Sequence, residues 1–156
     1  MSQAAQVLDA ARARRVMIAT AESCTGGLIA GALTEVPGSS DGFDRGFVTY
    51  SNVAKMQMLG VRAETLDTHG AVSEHVAAEM AQGALRQSDA GIAVSVTGIA
   101  GPGGSEHKPE GRVCFGISQP FGTFTQTVEF GAVGRHRVRA ATIEHALQLL
   151  LDALRN

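Results

Sequence analysis

The chain has 156 residues, with 13 Lys and Arg against 15 Asp and Glu, a formal net charge of -2 at pH 7. At this length one core can bury roughly two-thirds of the surface that the unfolded chain exposes, so residues 1–156 read as a single domain that needs neither a disulfide nor a metal to fold. Hydrophobic residues at 44%, charged residues at 18%, short apolar runs and a pI of about 6.2 exclude disorder and membrane insertion, and argue against a nucleic-acid binder that neutralises phosphates.

In chain order, Ala4, Val7, Leu8 and Ala11 recur at helical spacing behind Ser2, which predicts a helix from Ser2 to about Arg14. The start has no basic segment followed by an apolar stretch, so no secretory signal is expected and the cytoplasm is the default compartment. Val16 to Ala21 reads as a strand, Glu22 to Gly27 as a tight turn, and Leu28 to Leu33 as a helix stopped by Pro37-Gly38. Arg45 to Ser51 is a second strand, leading to a short helix from Val53 to Leu59 that Gly60 ends. Ser73 caps an amphipathic helix carrying Val76, Ala77, Met80, Ala81, Ala84 and Leu85 on one face, and Gly91 breaks it. Ile92 to Thr97 is a buried strand; a glycine-rich loop runs to Gly111. Arg112 to Ser118 and Thr123 to Phe130 form a hairpin, and a last helix spans about Arg135 to Leu154. This order predicts an α/β protein, a three-layer α/β/α sandwich around a mixed, roughly five-stranded sheet.

Two compositional outliers point to chemistry. Glycine is unusually frequent, at 19 residues, and of the 13 basic residues only Lys55 and Lys108 are lysines. Open α/β sheets bind ligands where strands end, and three such segments stand out. In the first, Ser23 sits on a strand-to-helix turn, and Thr25, Gly26 and Gly27 offer amides toward an anion or a developing oxyanion. The second contains Tyr50 and Lys55; a lysine can give up its proton in an apolar pocket, whereas an arginine cannot. The third is the loop of Thr97, Gly98 and Gly101, where glycines let the backbone approach a ligand. Plainer readings of the same residues are an N-cap serine beside packing glycines, a surface lysine and a half-buried tyrosine.

Neither G-x-x-x-x-G-K-[ST] nor G-x-G-x-x-G occurs, which disfavours a phosphate-binding P-loop and a Rossmann dinucleotide site. The five histidines lack zinc-ligand spacing, so no metal is expected, and Cys24 and Cys114 read as core residues. Arg135, Arg137 and Arg139 open the last helix, where cations oppose the macrodipole and call for either simple solvation or an anionic partner such as a phosphate.

Ala21-Glu22-Ser23-Cys24-Thr25-Gly26-Gly27-Leu28, Gly46 to Asn52 with Lys55, His69-Gly70-Ala71-Val72-Ser73 and Thr97 to Gly104 together resemble the C-terminal domain family of the competence/damage-inducible protein CinA. The resemblance covers roughly Val7 to Leu151 and implies a three-layer domain that hydrolyses the carboxamide of nicotinamide mononucleotide to nicotinate mononucleotide and ammonia. It implies Ser23 as nucleophile, Lys55 as base and Tyr50 nearby, and the expected mechanism has Tyr50 relay a proton to the leaving ammonia. It also implies no cofactor, a small-molecule nucleotide as partner, a possible homodimer, and a phosphate held by Arg139 in preference to Arg135. The chain departs from the family pattern at Glu110, where a small or apolar residue is usual, and at Gly131-Ala132-Val133-Gly134-Arg135, where Gly-Asp-Arg is usual. Alternative functions are a Ser-Lys amidase of another small amide and a non-catalytic nucleotide-binding module.

Overall fold

The Ser2 hydroxyl accepts a hydrogen bond from the Ala5 amide and starts helix α1 (Gln3–Arg14). The computed structural model describes all residues from Met1 to Asn156. Strand β1 (Ile18–Glu22) follows, then α2 (Leu28–Thr34), β2 (Phe43–Val48), α3 (Asn52–Leu59), α4 (Ala63–His69) and α5 (Glu74–Arg86). The second half holds β3 (Ile92–Gly98), the hairpin β4 (Arg112–Gln119) and β5 (Gly122–Glu129), and the 21-residue helix α6 (Arg135–Arg155).

The strands form one sheet in the order β2-β1-β3-β4-β5. β1 pairs in parallel with β2 and β3, while β4 and β5 run antiparallel to their neighbours, which gives the expected mixed five-stranded sheet. Every residue of β1 is buried because the strand lies inside the sheet with a layer on each face, so its sequence is a continuous run of small and apolar side chains closed by one glutamate.

Alternation along the strands divides the core. Ile18, Ile92, Val94 and Val96 join α1, α2 and α6 on one face, with Val7, Leu8, Ile29, Leu33, Val138 and Leu150. Ala19, Ala21 and Ala93 face Leu59, Leu66, Val76 and Met80 of the α3, α4 and α5 layer. The three-layer α/β/α sandwich is therefore present.

Three local expectations change. β1 begins at Ile18 and not at Val16. β2 is Phe43–Val48 and not Arg45–Ser51, because the chain leaves the sheet after Val48 and turns into α3 through the Ser51 cap. α4 has no counterpart in the hydrophobic pattern, since only Thr65 and Leu66 of its seven residues are buried.

β2 lies on one side of β1 and β3 on the other, so the chain order reverses beside β1. That is the switch point where open α/β sheets leave a crevice at the carboxyl ends of their strands.

Candidate active site

Ser23 continues the strand alternation of β1 onto the face of α3, and its amide donates to Val96 O of β3 at 3.1 Å. Lys55 points back from the first turn of α3, a helix set by the Ser51 hydroxyl, which accepts from the Ala54 amide. Lys55 Nζ donates to Ser23 Oγ at 3.0 Å, to Thr49 O at 2.9 Å and to Tyr50 O at 3.4 Å. Only 1% of Lys55 and 8% of Ser23 is exposed. Burial lowers the Lys55 pKa from its ordinary 10.5, against smaller opposing effects of Cys24 and Glu106. A neutral Lys55 can give two N–H groups to the carbonyls and turn its lone pair to the serine hydroxyl. The neighbouring thiol offers no such nucleophile: burial pushes Cys24 up to about 11, so it stays protonated.

Glu22 and Arg139 hold the turn that carries Ser23. The buried Glu22 carboxylate accepts from Thr25 Oγ1 at 2.5 Å, from the Ile29 amide at 2.9 Å and from the Ala30 amide at 3.0 Å. The Ile29 and Ala30 amides in the first turn of α2 are therefore spent on a protein carboxylate. Arg139 donates from Nε to Cys24 O at 3.1 Å and from Nη2 to Thr25 O at 3.3 Å. Gly26 (φ 60°) and Gly27 (φ 103°) supply the left-handed backbone that reverses the chain here. The Gly26 amide donates to Ser23 O at 3.1 Å, whereas the Cys24 and Thr25 amides meet no protein acceptor.

A cavity of about 370 Å³ opens over the Ser23–Lys55 pair, lined by Ser23, Cys24, Tyr50, Asn52, Lys55, the Ala71-Val72 turn, Thr97 to Glu106, and Arg135. The glycine loop forms its far wall. Thr97 Oγ1 donates to Ala71 O at 2.9 Å, and Lys108 Nζ donates to His69 O at 2.6 Å and to Val72 O, which ties the loop to the turn before α5. Glu110 straps the other end: its carboxylate accepts from the Gly103 amide at 2.7 Å and from the Gly134 amide, at the start of α6, at 2.9 Å. Gly101 (φ 96°) has a backbone conformation that L side chains rarely adopt, and an added Cβ would also push on the Glu110 carboxyl carbon, at 2.5 Å. Arg135 closes the rim, donating to Gly101 O and to the Tyr50 hydroxyl, both at 2.7 Å.

The sequence candidates thus separate into groups. Ser23, Lys55, Tyr50, Thr97, Gly98, Gly101 and Arg135 line the cavity. Thr25, Gly26, Gly27 and Arg139 do not line it; they build the turn beneath it. Tyr50 is 60% exposed, and its hydroxyl meets Arg135, whereas only its backbone carbonyl meets Lys55. Glu22 and Glu106 were not singled out from the sequence. For Glu22 the available signal is a charge ending an apolar strand with a threonine three residues on; for Glu106, exposed in a polar loop, there is none. A larger groove of about 630 Å³, lined by Phe121, Phe124 and Leu149, lies between the hairpin turn and the end of α6, far in the fold from the lysine. No cluster of three or more His, Cys, Asp or Glu side chains is arranged to hold a metal ion, and no helix is long and apolar enough to cross a membrane.

Fold and site together define a three-layer α/β/α domain with a buried serine–lysine pair at the switch point of its sheet. The chain belongs to the CinA family: the model of the CinA C-terminal domain matches residues 1–154. It is 56% identical over 146 residues to a CinA-like protein of Chlorobium phaeobacteroides strain BS1, covering 90% of this chain but only 35% of that relative. It is 52% identical over 151 residues to the nicotinamide-nucleotide amidohydrolase PncC of Escherichia coli strain K12, covering 96% of this chain and 92% of that protein. The crystal structure of the competence damage-inducible protein A (ComA) from Klebsiella pneumoniae superposes with a TM-score of 0.95 at 41% identity, covering 99% of this chain and 96% of that one.

Proposed function

We propose that this chain is a nicotinamide-nucleotide amidase, which hydrolyses the carboxamide of nicotinamide mononucleotide to nicotinate mononucleotide and ammonia through a serine ester. The observation that carries the reading is the buried Lys55 amine, 3.0 Å from the Ser23 hydroxyl in the floor of a cavity. The likeness to the E. coli amidohydrolase over nearly the whole of both chains supports the substrate.

In this reading neutral Lys55 takes the Ser23 proton as Oγ attacks the amide carbon. The oxyanion is held by the Cys24 amide, the unspent N–H nearest the nucleophile on the cavity wall. The new Lys55 ammonium returns its proton to the amide nitrogen, which leaves as ammonia while the serine ester forms. Water then attacks the ester carbon, Lys55 takes the water proton and passes it to Ser23 Oγ, and nicotinate mononucleotide leaves. Lys55 serves the leaving nitrogen better than Tyr50 does, because it already contacts Oγ while the tyrosine hydroxyl is at the rim. The nucleotide phosphate is assigned to Arg135, which lines the cavity, whereas Arg139 does not line it and is turned to the Cys24 and Thr25 carbonyls.

Ammonia release from nicotinamide mononucleotide beside nicotinamide riboside tests this function. The mononucleotide is turned over and the riboside, lacking the phosphate, has a kcat/KM lower by at least about tenfold. Equal turnover of both, or of a panel of unrelated small amides, would identify a general Ser-Lys amidase instead.

A further inference from the structure

The cavity is lined by three side chains of acidic or basic type, Lys55 in the floor, Glu106 in the glycine loop and Arg135 at the rim. The chain forms six ion pairs, and none of these three residues takes part in any of them. Lys55 and Arg135 already have tasks in the proposed reaction; Glu106 has none. Its carboxylate accepts the Ala71 amide at 3.3 Å, and it stands at the tip of a short turn closed by the Ser105–Lys108 bridge. Glu106 (φ 51°) and His107 (φ 64°) are consecutive left-handed residues without glycine, an uncommon backbone that fixes where the tip points. The nearby Lys108 ammonium does not neutralise it within ion-pair distance, because it is engaged with the His69 and Val72 carbonyls.

A lone carboxylate in this cavity works against the lysine: it favours the ammonium over the neutral base that the reaction needs. A cation in the bound ligand would remove that penalty as it docks. The proposed substrate has one, since its pyridine nitrogen is quaternised by the ribose and the ring carries a positive charge.

We infer that Glu106 is a specificity-determining residue that selects a cationic, N-ribosylated pyridinium ring over an uncharged ring of the same shape. This rests on the proposed nucleotide substrate. The three side chains without an ion-pair partner then match the ligand in turn: amine and serine for the carboxamide, carboxylate for the cationic ring, guanidinium for the phosphate.

The test uses binding, so that it does not depend on turnover. Nicotinamide mononucleotide and its 1,4-dihydro form share the carboxamide, ribose and phosphate and differ in ring charge. Calorimetric titration of both into full-length Ser23→Ala and Ser23→Ala/Glu106→Gln protein gives four dissociation constants. With Glu106 present the cationic form binds about tenfold more tightly, as expected for one charge pair at a few ångströms in a partly solvated site. Glu106→Gln brings the two forms to about the same affinity by weakening the cationic one, leaves the dihydro form within about twofold, and leaves the melting temperature unchanged. A preference for the cationic form that survives Glu106→Gln overturns the inference, as does equal weakening of both forms. Ammonia release by the wild-type chain is measured beside these: its absence would overturn the proposed reaction alone, whereas turnover without ring-charge discrimination would overturn the role of Glu106 alone.

Discussion

The floor of the cavity and its rim are built on opposite principles. In the floor, Lys55, Ser23 and Glu22 are buried, and each polar side-chain group meets a protein partner. At the rim, Tyr50, Glu106 and Arg135 are exposed, and the two charged ones lack an ion-pair partner. The difference follows from what each region has to do. A base needs a set pKa and a fixed distance to its nucleophile, which burial and hydrogen bonds supply. A recognition group needs charge left over for the ligand, which only an unpaired side chain supplies.

The contrast is broken most severely at the nucleophile. Ser23→Ala is expected to lower kcat for the mononucleotide by about three decades or more with KM little changed, read by ammonia release. Lys55→Arg places a permanent positive charge there and removes the base, and lowers kcat by about 10²- to 10⁴-fold. A steady-state comparison of Lys55→Arg with Lys55→Ala sharpens this, because a purely electrostatic lysine would leave the arginine variant the more active.

Glu22→Gln is the next largest effect. It keeps the shape but trades a carboxylate holding three donors for an amide, with an expected loss of about 1–3 kcal/mol in urea unfolding and a lower kcat. The two arginines then separate floor from rim. Arg135→Ala raises KM by about tenfold and leaves kcat within about threefold, whereas Arg139→Ala loosens the serine turn and lowers kcat and melting temperature together. Equal KM effects of the two would return the phosphate to both. Smallest is Glu110→Val, which restores the family's usual residue type and frees the Gly103 and Gly134 amides; its cost in thermal unfolding is about 1 kcal/mol.

The sequence carried the floor better than the rim. Ser23 and Lys55 stand out because their signals are local: a serine after an apolar run, and a rare lysine one turn into a helix. Arg135 and Arg139 lie four residues apart on one helix and look alike as letters. Only the packing of α6 shows that one reaches the rim and the other runs beneath it to the Cys24 and Thr25 carbonyls. Glu22 was hidden for the converse reason. A buried charge is recognisable only with its partners, and two of these are backbone amides of Ile29 and Ala30, which any sequence would possess. The sheet was legible from the strand and helix order. Helix α4 was not, because with two buried residues it leaves no periodic mark.

The claim that unites these observations is that Lys55 works as a neutral amine, and the pH dependence of kcat/KM for nicotinamide mononucleotide tests it most directly. Above about pH 7 the substrate phosphate is largely dianionic, so a change from there to about pH 10 reports the enzyme. Burial lowers the Lys55 pKa from its ordinary 10.5, and the active form is the unprotonated one, so the rate rises with pH until the lysine is deprotonated and is level above that. The account predicts a wild-type rate that rises or holds its plateau as the pH increases over this range, and a low, flat profile in Lys55→Arg. A wild-type rate that falls as the pH rises, or a Lys55→Arg variant within about tenfold of wild type, would contradict it.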